Sequence, residues 1–195
     1  MTTVNPCVII LHYTGEIAMN IFALHTDPVL SAQSHCDKHV VKMIIEYAQL
    51  MSTAHRVFDG SLYQGKTKNG RNIKRWLMPD EVLEDVVYKA SHVNHPSGIW
   101  CRQTKANYDY LYKLWFSLCQ EYTHRYGKIH LTQLKLENIL CNAPSNIPHG
   151  TLTELPQAMP DDAKMPNVID AYRNYYRVYK KDFAKWTKRQ TPEWF

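Results

Sequence analysis

Residues 104–127 restrict the possible folds of this chain most strongly, because they carry a complete set of helix signals. Thr104 is a residue type that caps helix starts, and Gly127 is the type that most often ends them. Apolar side chains recur between them at helical spacing, at Leu111, Leu114, Trp115, Leu118 and Tyr122. The segment therefore predicts a long helix, from residue 104 to about residue 126, with one buried face.

Similar signals predict further helices along the chain. Asp27-Pro28 suits a helix start, and Asp59-Gly60 suits the end of a helix or pair of helices that runs to about Arg56. The buried stripe of this element is Val40, Ile44, Tyr47 and Met51. Further helices are expected at about 80–91, 97–102, 131–141 and 166–186, and loops at 61–78 and 142–166, where turn residues are frequent.

The chain shows no alternating strand pattern, so the sequence predicts an all-α fold. We expect a single-domain, irregular helical bundle with long loops over residues 19–195. Residues 1–18 precede this pattern and contain a short apolar run at 7–11 that has neither the length nor the basic flank of a signal peptide. Gly15-Glu16 can be encoded by a purine-rich ribosome-binding sequence two codons before Met19. We therefore interpret 1–18 as a translated leader, with a short strand as the alternative.

Composition excludes some classes of protein and leaves others open. The five cysteines are scattered without metal-ligand spacing, which argues against a disulfide framework and predicts a reducing cytoplasm. No apolar run reaches the roughly 18 residues needed to cross a bilayer. The formal net charge of +5 permits a phosphate-rich partner, but it fits an ordinary basic enzyme equally well.

A polar arc on the first long helical element carries the residues best suited to chemistry. Its members are His35, Lys38, His39, Lys42, Glu46, Gln49 and Thr53. A solvated helix face with a Lys42–Glu46 ion pair is one interpretation. A second is a metal site, in which His35 and His39 are ligands at i,i+4 spacing and other histidines complete the shell. In a third, Glu46 is a catalytic carboxylate supported by His39 and Lys42, whose amine can form a Schiff base with an opened deoxyribose.

From Met19 onward the chain resembles the pyrimidine-dimer DNA glycosylases of the endonuclease V type, found in bacteriophages and bacteria. The opening MNIFALH is similar to the short extended start of that family. Asp37-Lys38-His39, followed by Glu46, is similar to its first helix, where the glutamate is catalytic. Asn94-His95-Pro96 resembles a triplet of bacterial members, 107–128 resembles the long middle helix, and the tyrosines of 172–179 resemble the aromatic C-terminal segment.

The resemblance implies a phage-encoded base-excision glycosylase and abasic-site lyase that acts on DNA in the host-cell cytoplasm without a metal or other cofactor. Glu46 would be the catalytic carboxylate, supported by His39. The nucleophile would be an α-amine, at Met19 if the chain begins there, with Lys42 as the alternative amine. The residues expected to contact DNA or line its pocket are His35, His95, Arg102 and the cations of the acid-free 61–78 segment, Arg71, Lys74 and Arg75.

A second basic segment, 171–189, interleaves cations with tyrosines and is another candidate for phosphate contacts. Two other functions remain open on the sequence. One is a metal-dependent hydrolase that uses the histidine cluster. The other is a non-catalytic, nucleotide-binding phage protein on the same helical scaffold.

Overall fold

The computed structural model describes residues 19–195, so the interpretation of 1–18 as a leader or strand lies outside the described residues. The elements in chain order are α1 (Pro28–Ser34), α2 (Asp37–Asp59), β1 (Ser61–Lys66), β2 (Asn72–Leu77), α3 (Glu81–Val86), α4 (Pro96–Cys101), α5 (Lys105–Tyr126), α6 (Leu131–Leu140), a 3₁₀ turn (Asp161–Ala163) and α7 (Val168–Tyr179). This part of the chain is mostly helical, with one two-stranded sheet.

A pair of helices forms the first helical element. The side chain of Asp27 accepts hydrogen bonds from the backbone N–H groups of Val29 and Leu30, which caps α1 as its sequence predicts. The chain becomes extended at His35, where ψ is 135°, and α2 begins two residues later. The break separates His35, which ends α1, from the other members of the polar arc, which all lie on α2.

The core forms where α5 packs across α1 and α2. Trp115, on the predicted apolar face of α5, is fully buried and donates its indole N–H to the carbonyl of Ile44 at 2.9 Å. The predicted helix from Thr104 to Gly127 is confirmed at both ends. Thr104 accepts a hydrogen bond from the backbone N–H of Asn107, and Gly127 adopts the left-handed conformation with φ 68°.

The prediction of a loop at 61–78 is wrong, and with it the prediction of a purely helical fold. β1 and β2 pair as an antiparallel hairpin, in which Leu62 lies opposite Trp76 and Lys66 lies opposite Asn72. Most side chains on both strands are exposed or only partly covered. Strand prediction depends on apolar residues that alternate toward a core, and a hairpin that projects into solvent has no such alternation.

Two predicted helices are shorter in the structure. α3 ends at Val86 rather than near residue 91, because the carbonyls of Val87 and Tyr88 accept hydrogen bonds from the buried side chain of Arg56. α7 ends at Tyr179 rather than near residue 186. The chain beyond it turns back so that Trp186 donates its indole N–H to the carbonyl of Ser34 at 2.9 Å.

Within residues 19–195, no helix combines the length and the apolarity needed to cross a membrane. The cysteines of this part of the chain, Cys36, Cys101, Cys119 and Cys141, are all free thiols.

Candidate active site around Glu46

Glu46 lies near the middle of α2 and points into the protein, with only 7% of the residue exposed. Lys42, one helical turn earlier, places its Nζ 3.0 Å from Glu46 Oε1, and its side chain is 57% exposed. The carboxylate is therefore withdrawn from bulk solvent, while the neighbouring amine can be approached from outside.

Burial raises the pKa of the Glu46 carboxyl, and the charge and proximity of Lys42 oppose this increase. The backbone N–H of Asn20 and the charge of His92 also favour the ionised form. Among the described residues, no group bonds either carboxylate oxygen with good hydrogen-bond geometry, since Lys42 is close but poorly oriented. A buried carboxylate with unused oxygens and a raised pKa can hold a proton for transfer or stabilise a nearby positive charge.

Residues 19–24 form a buried segment that runs beside α2. Met19 and Asn20 are each 3% exposed. The side-chain amide of Asn20 donates to the carbonyl of Ala158 at 2.7 Å, and its oxygen lies 3.0 Å from the hydroxyl of Tyr172. These bonds fix the position of the Asn20 backbone, whose N–H faces Glu46.

A third segment, residues 89–92, is held against α2 because side chains of that helix form hydrogen bonds with its backbone. Gln49 donates to the carbonyl of Lys89 at 2.9 Å, and the Thr53 hydroxyl lies 3.3 Å from both the N and the O atoms of Ser91. The next residue, His92, is exposed and has φ 51°, a left-handed conformation that residues with side chains rarely adopt. Strained conformations cluster at functional sites, and His92 is close enough to Glu46 for its charge to favour the ionised carboxyl.

The structure places His39 and His35 away from the Glu46 carboxylate. His39 is buried, hydrogen-bonds the hydroxyl of Tyr176 through Nδ1, and stacks on Phe22 with a ring-centroid distance of 4.4 Å. Burial lowers its pKa well below the ordinary value, with smaller contributions from neighbouring cations. Its recorded contacts are those of a packed core residue rather than of a partner for Glu46.

His35 is fully buried, and both of its ring nitrogens lie within hydrogen-bond distance of groups inside the protein. Nδ1 lies 2.7 Å from the carbonyl of Ser31, and Nε2 lies 3.0 Å from the hydroxyl of Tyr47. Burial lowers its pKa to about 4. The expected DNA contact at His35 therefore has no accessible atom in this structure, because the ring links α1 to α2.

His95 and Arg102 flank α4, close to His92. His95 accepts the backbone N–H of Ser97 and caps the helix, and burial lowers its pKa. Arg102 donates through Nη2 to the carbonyl of Val93 at 2.6 Å, but its Nη1 is buried and has no partner among the described residues. A guanidinium with an unused N–H suits an anionic ligand.

The predicted cations of 61–78 lie on the hairpin rather than at Glu46. Arg71 and Lys74 are exposed, whereas Arg75 is half-buried and directs Nη1 toward the carbonyl of Ala90 at 3.5 Å. In the other basic segment, 171–189, part of the positive charge is directed at groups of the protein itself. Arg173 donates to the carbonyl of Leu24.

No group of three or more His, Cys, Asp or Glu side chains within 19–195 is arranged to hold a metal ion. Surface cavities of about 620, 520 and 410 Å³ are lined by other parts of the chain and do not include Glu46. The chemistry available at Glu46 is therefore that of its own carboxylate, the adjacent amine of Lys42 and the nearby cations.

Sequence reasoning found Glu46 and Lys42 but missed two of their neighbours. The sequence gives no particular role to His92, because its left-handed backbone has no signal there. The backbone N–H of Asn20 comes close to Glu46 only through tertiary packing, although the resemblance to the glycosylase start pointed toward this segment. Comparison of the chain with protein-family models, with curated proteins and with solved structures gives no match.

Proposed function

We propose that this protein is a DNA base-excision glycosylase and abasic-site lyase, or a close derivative of that scaffold. The observation that carries the proposal is the position of Glu46: a buried carboxyl with a raised pKa, 3.0 Å from an accessible amine and beside the backbone nitrogen of Asn20. His92 acts on the charge of Glu46, and the residues that flank α4 near it, His95 and Arg102, include a buried guanidinium nitrogen of Arg102 without a partner among the described residues, which suits a phosphate.

The chemistry follows from a carboxyl and an amine at close range. The amine nitrogen attacks C1′ of a deoxyribose as the bond to the base breaks, and the base leaves with the electron pair and takes up a proton. The C1′–O4′ bond then breaks, O4′ keeps the electron pair and takes up one of the two protons that the nitrogen loses, the base takes up the other, and C1′ and the nitrogen form an imine. Glu46 can donate a proton while it is neutral and stabilise the positive sugar while it is ionised.

Two amines are candidates for this nucleophile. Lys42 is the one that the described residues place against Glu46. If the active protein begins at Met19, an α-amine would lie in the segment whose next residue, Asn20, directs its backbone N–H at the same carboxyl. An α-amine has a pKa near 8, about two units below that of an ordinary lysine, so more of it is neutral and nucleophilic at pH 7.

Borohydride trapping on DNA with an abasic site tests the proposal, since only an enzyme that forms an imine becomes cross-linked. We expect cross-linking that Glu46→Gln abolishes without unfolding the protein, because the change is nearly isosteric. If the α-amine is the nucleophile, the chain that starts at Met19 cross-links and the 195-residue chain does not. If both cross-link and Lys42→Ala abolishes the product, the nucleophile is Lys42.

Lys113→Ala, which removes an exposed lysine of α5, is the matched control and should leave trapping unchanged. Absence of cross-linking with both chains, at a pH where the fold is intact, would contradict the lyase and favour the nucleotide-binding alternative.

A further inference from the structure

The β1–β2 hairpin presents two faces of different character. Residues that lie directly opposite in an antiparallel pair share one face, and successive residues alternate between faces. Lys66 pairs with Asn72 and Gln64 pairs with Lys74, so these four side chains form one continuous patch. All four are exposed. We call this patch the ribbon face; it is polar and positively charged, and 61–78 contains no acidic residue.

The opposite face is partly covered. Ile73 and Gly65 are partly covered, and the guanidinium of Arg75 approaches the carbonyl of Ala90, whereas Tyr63 and Leu77 on the same face are exposed. The ribbon face and the tip carry the exposed cations of the hairpin and therefore suit a phosphate-rich partner best. At the tip, the Thr67 N–H bonds the carbonyl of Arg71 at 2.9 Å, and Lys68 and Arg71 project into solvent.

The hairpin is held firmly at its root. Arg56, on α2, is one of the largest fully buried side chains, and it donates to the carbonyl of Trp76 at 2.9 Å and to the carbonyls of Glu84 and Val87. A side chain at Gly60 would collide with the carbonyl of Arg56, so the chain turns sharply out of α2 there. The ribbon thus leaves the end of α2, the helix that carries Glu46, about 20 Å along that helix from Glu46.

We propose that the ribbon face enters the major groove of duplex DNA beside the nucleotide held at Glu46. Two antiparallel strands lie about 5 Å apart, and the major groove, about 12 Å wide, admits such a ribbon. Amide side chains such as Gln64 and Asn72 suit adenine edges, and lysines suit guanine edges and phosphates. Lys68 and Arg71 at the tip would contact the backbone. The inference rests on the proposed function, because it assumes that the substrate is DNA.

Double-stranded RNA serves as the first comparison. Its major groove is deep and narrow, so side chains cannot read it. The full chain should therefore bind a DNA duplex more tightly than an RNA duplex of the same sequence. A ligand that occupies the major groove, such as methyl green, should compete with the protein, whereas the minor-groove ligand netropsin should not. Equal binding to both duplexes, or competition by netropsin alone, would overturn the proposal.

Two double variants separate charge from recognition in fluorescence-anisotropy titrations at several salt concentrations. Lys66→Ala with Lys74→Ala should weaken binding and reduce the slope of log K against log salt by about two units, roughly 0.9 for each lost contact. Gln64→Ala with Asn72→Ala should leave that slope unchanged and relax the preference among DNA sequences. Lys113→Ala with Lys128→Ala removes the same charge elsewhere and should change neither property.

A lysine variant of the ribbon face that behaves like this control would contradict the proposal. The result is distinguishable from failure of the proposed chemistry. If trapping depends on Glu46 while the ribbon variants bind normally, only the groove contact is wrong. If the ribbon variants lose binding while no abasic site is trapped, the DNA contact holds and the lyase is wrong.

Discussion

Burial favours the neutral forms of both Glu46 and His35, and therefore shifts their pKa values in opposite directions. Burial raises the pKa of Glu46, so the stability that its protonated form contributes is present at low pH and is lost as the pH rises through the folded-state pKa. Burial lowers the pKa of His35 to about 4, so its neutral ring contributes stability above pH 6.5 that is lost as the pH falls toward 4. The same desolvation that prepares Glu46 to hold a proton keeps His35 from accepting one.

His35→Asn tests this effect at the residue scale. In the wild type, the shift from 6.5 to about 4 corresponds to about 3 kcal/mol of unfolding free energy, lost over that pH range. Asparagine does not titrate there, so the variant should be less stable than the wild type at pH 7 and closer to it at pH 4. Urea unfolding at both pH values measures the difference. Parallel pH profiles for the two proteins would contradict a neutral His35.

At the scale of elements, Arg56 joins α2, β2 and α3 through one side chain. Its guanidinium forms an ion pair with Glu84 and bonds the carbonyl of Trp76 in β2 and the carbonyls of Val87 and Tyr88 just after α3. Arg56→Ala should lower the unfolding free energy by roughly 3 kcal/mol or more, because it removes the ion-pair partner of Glu84 and leaves these carbonyls without the guanidinium that bonds them. Urea unfolding measures the loss. Arg71→Ala, at the exposed tip, is the control and should stay within about 0.5 kcal/mol of the wild type.

The sequence predicted those elements whose signals are local. α5 was found at both ends because Thr104, Gly127 and the apolar stripe act within the helix itself. The hairpin was missed because its strands carry few buried residues, and its root depends on Arg56, whose hydrogen bonds reach residues 20 to 32 positions away. In the candidate site, Glu46 and Lys42 were found because i,i+4 spacing is local. His92 was missed because its segment is held against α2 by hydrogen bonds with Gln49 and Thr53, about 40 residues earlier in the chain.

At the scale of the whole molecule, the C-terminal segment closes the structure over the start of α2. The indole of Trp186 bonds Ser34, the hydroxyl of Thr187 bonds Asp37 at 2.8 Å, and Arg189 forms an ion pair with Glu121 at 2.8 Å. Trp186→Ala should reduce the unfolding free energy by about 3 kcal/mol, since it opens a cavity and leaves the Ser34 carbonyl unpaired. Gln190→Ala, at an exposed position nearby, should have little effect. Thermal and urea unfolding of both variants would measure this, and equal stabilities would show that the segment is dispensable.

The buried position of residues 19–24 has a consequence for synthesis on the ribosome. Asn20 bonds Ala158 and Tyr172, which lie 138 and 152 residues later in the chain. During translation, this segment leaves the ribosome long before its partners, Ala158 and Tyr172, have been made. Contacts of such long sequence separation also slow folding, because the loop between them must close at an entropic cost. Until then, residues 19–24 of the nascent chain are open to aggregation and to chaperone capture, and this is the segment whose Asn20 finally lies beside Glu46.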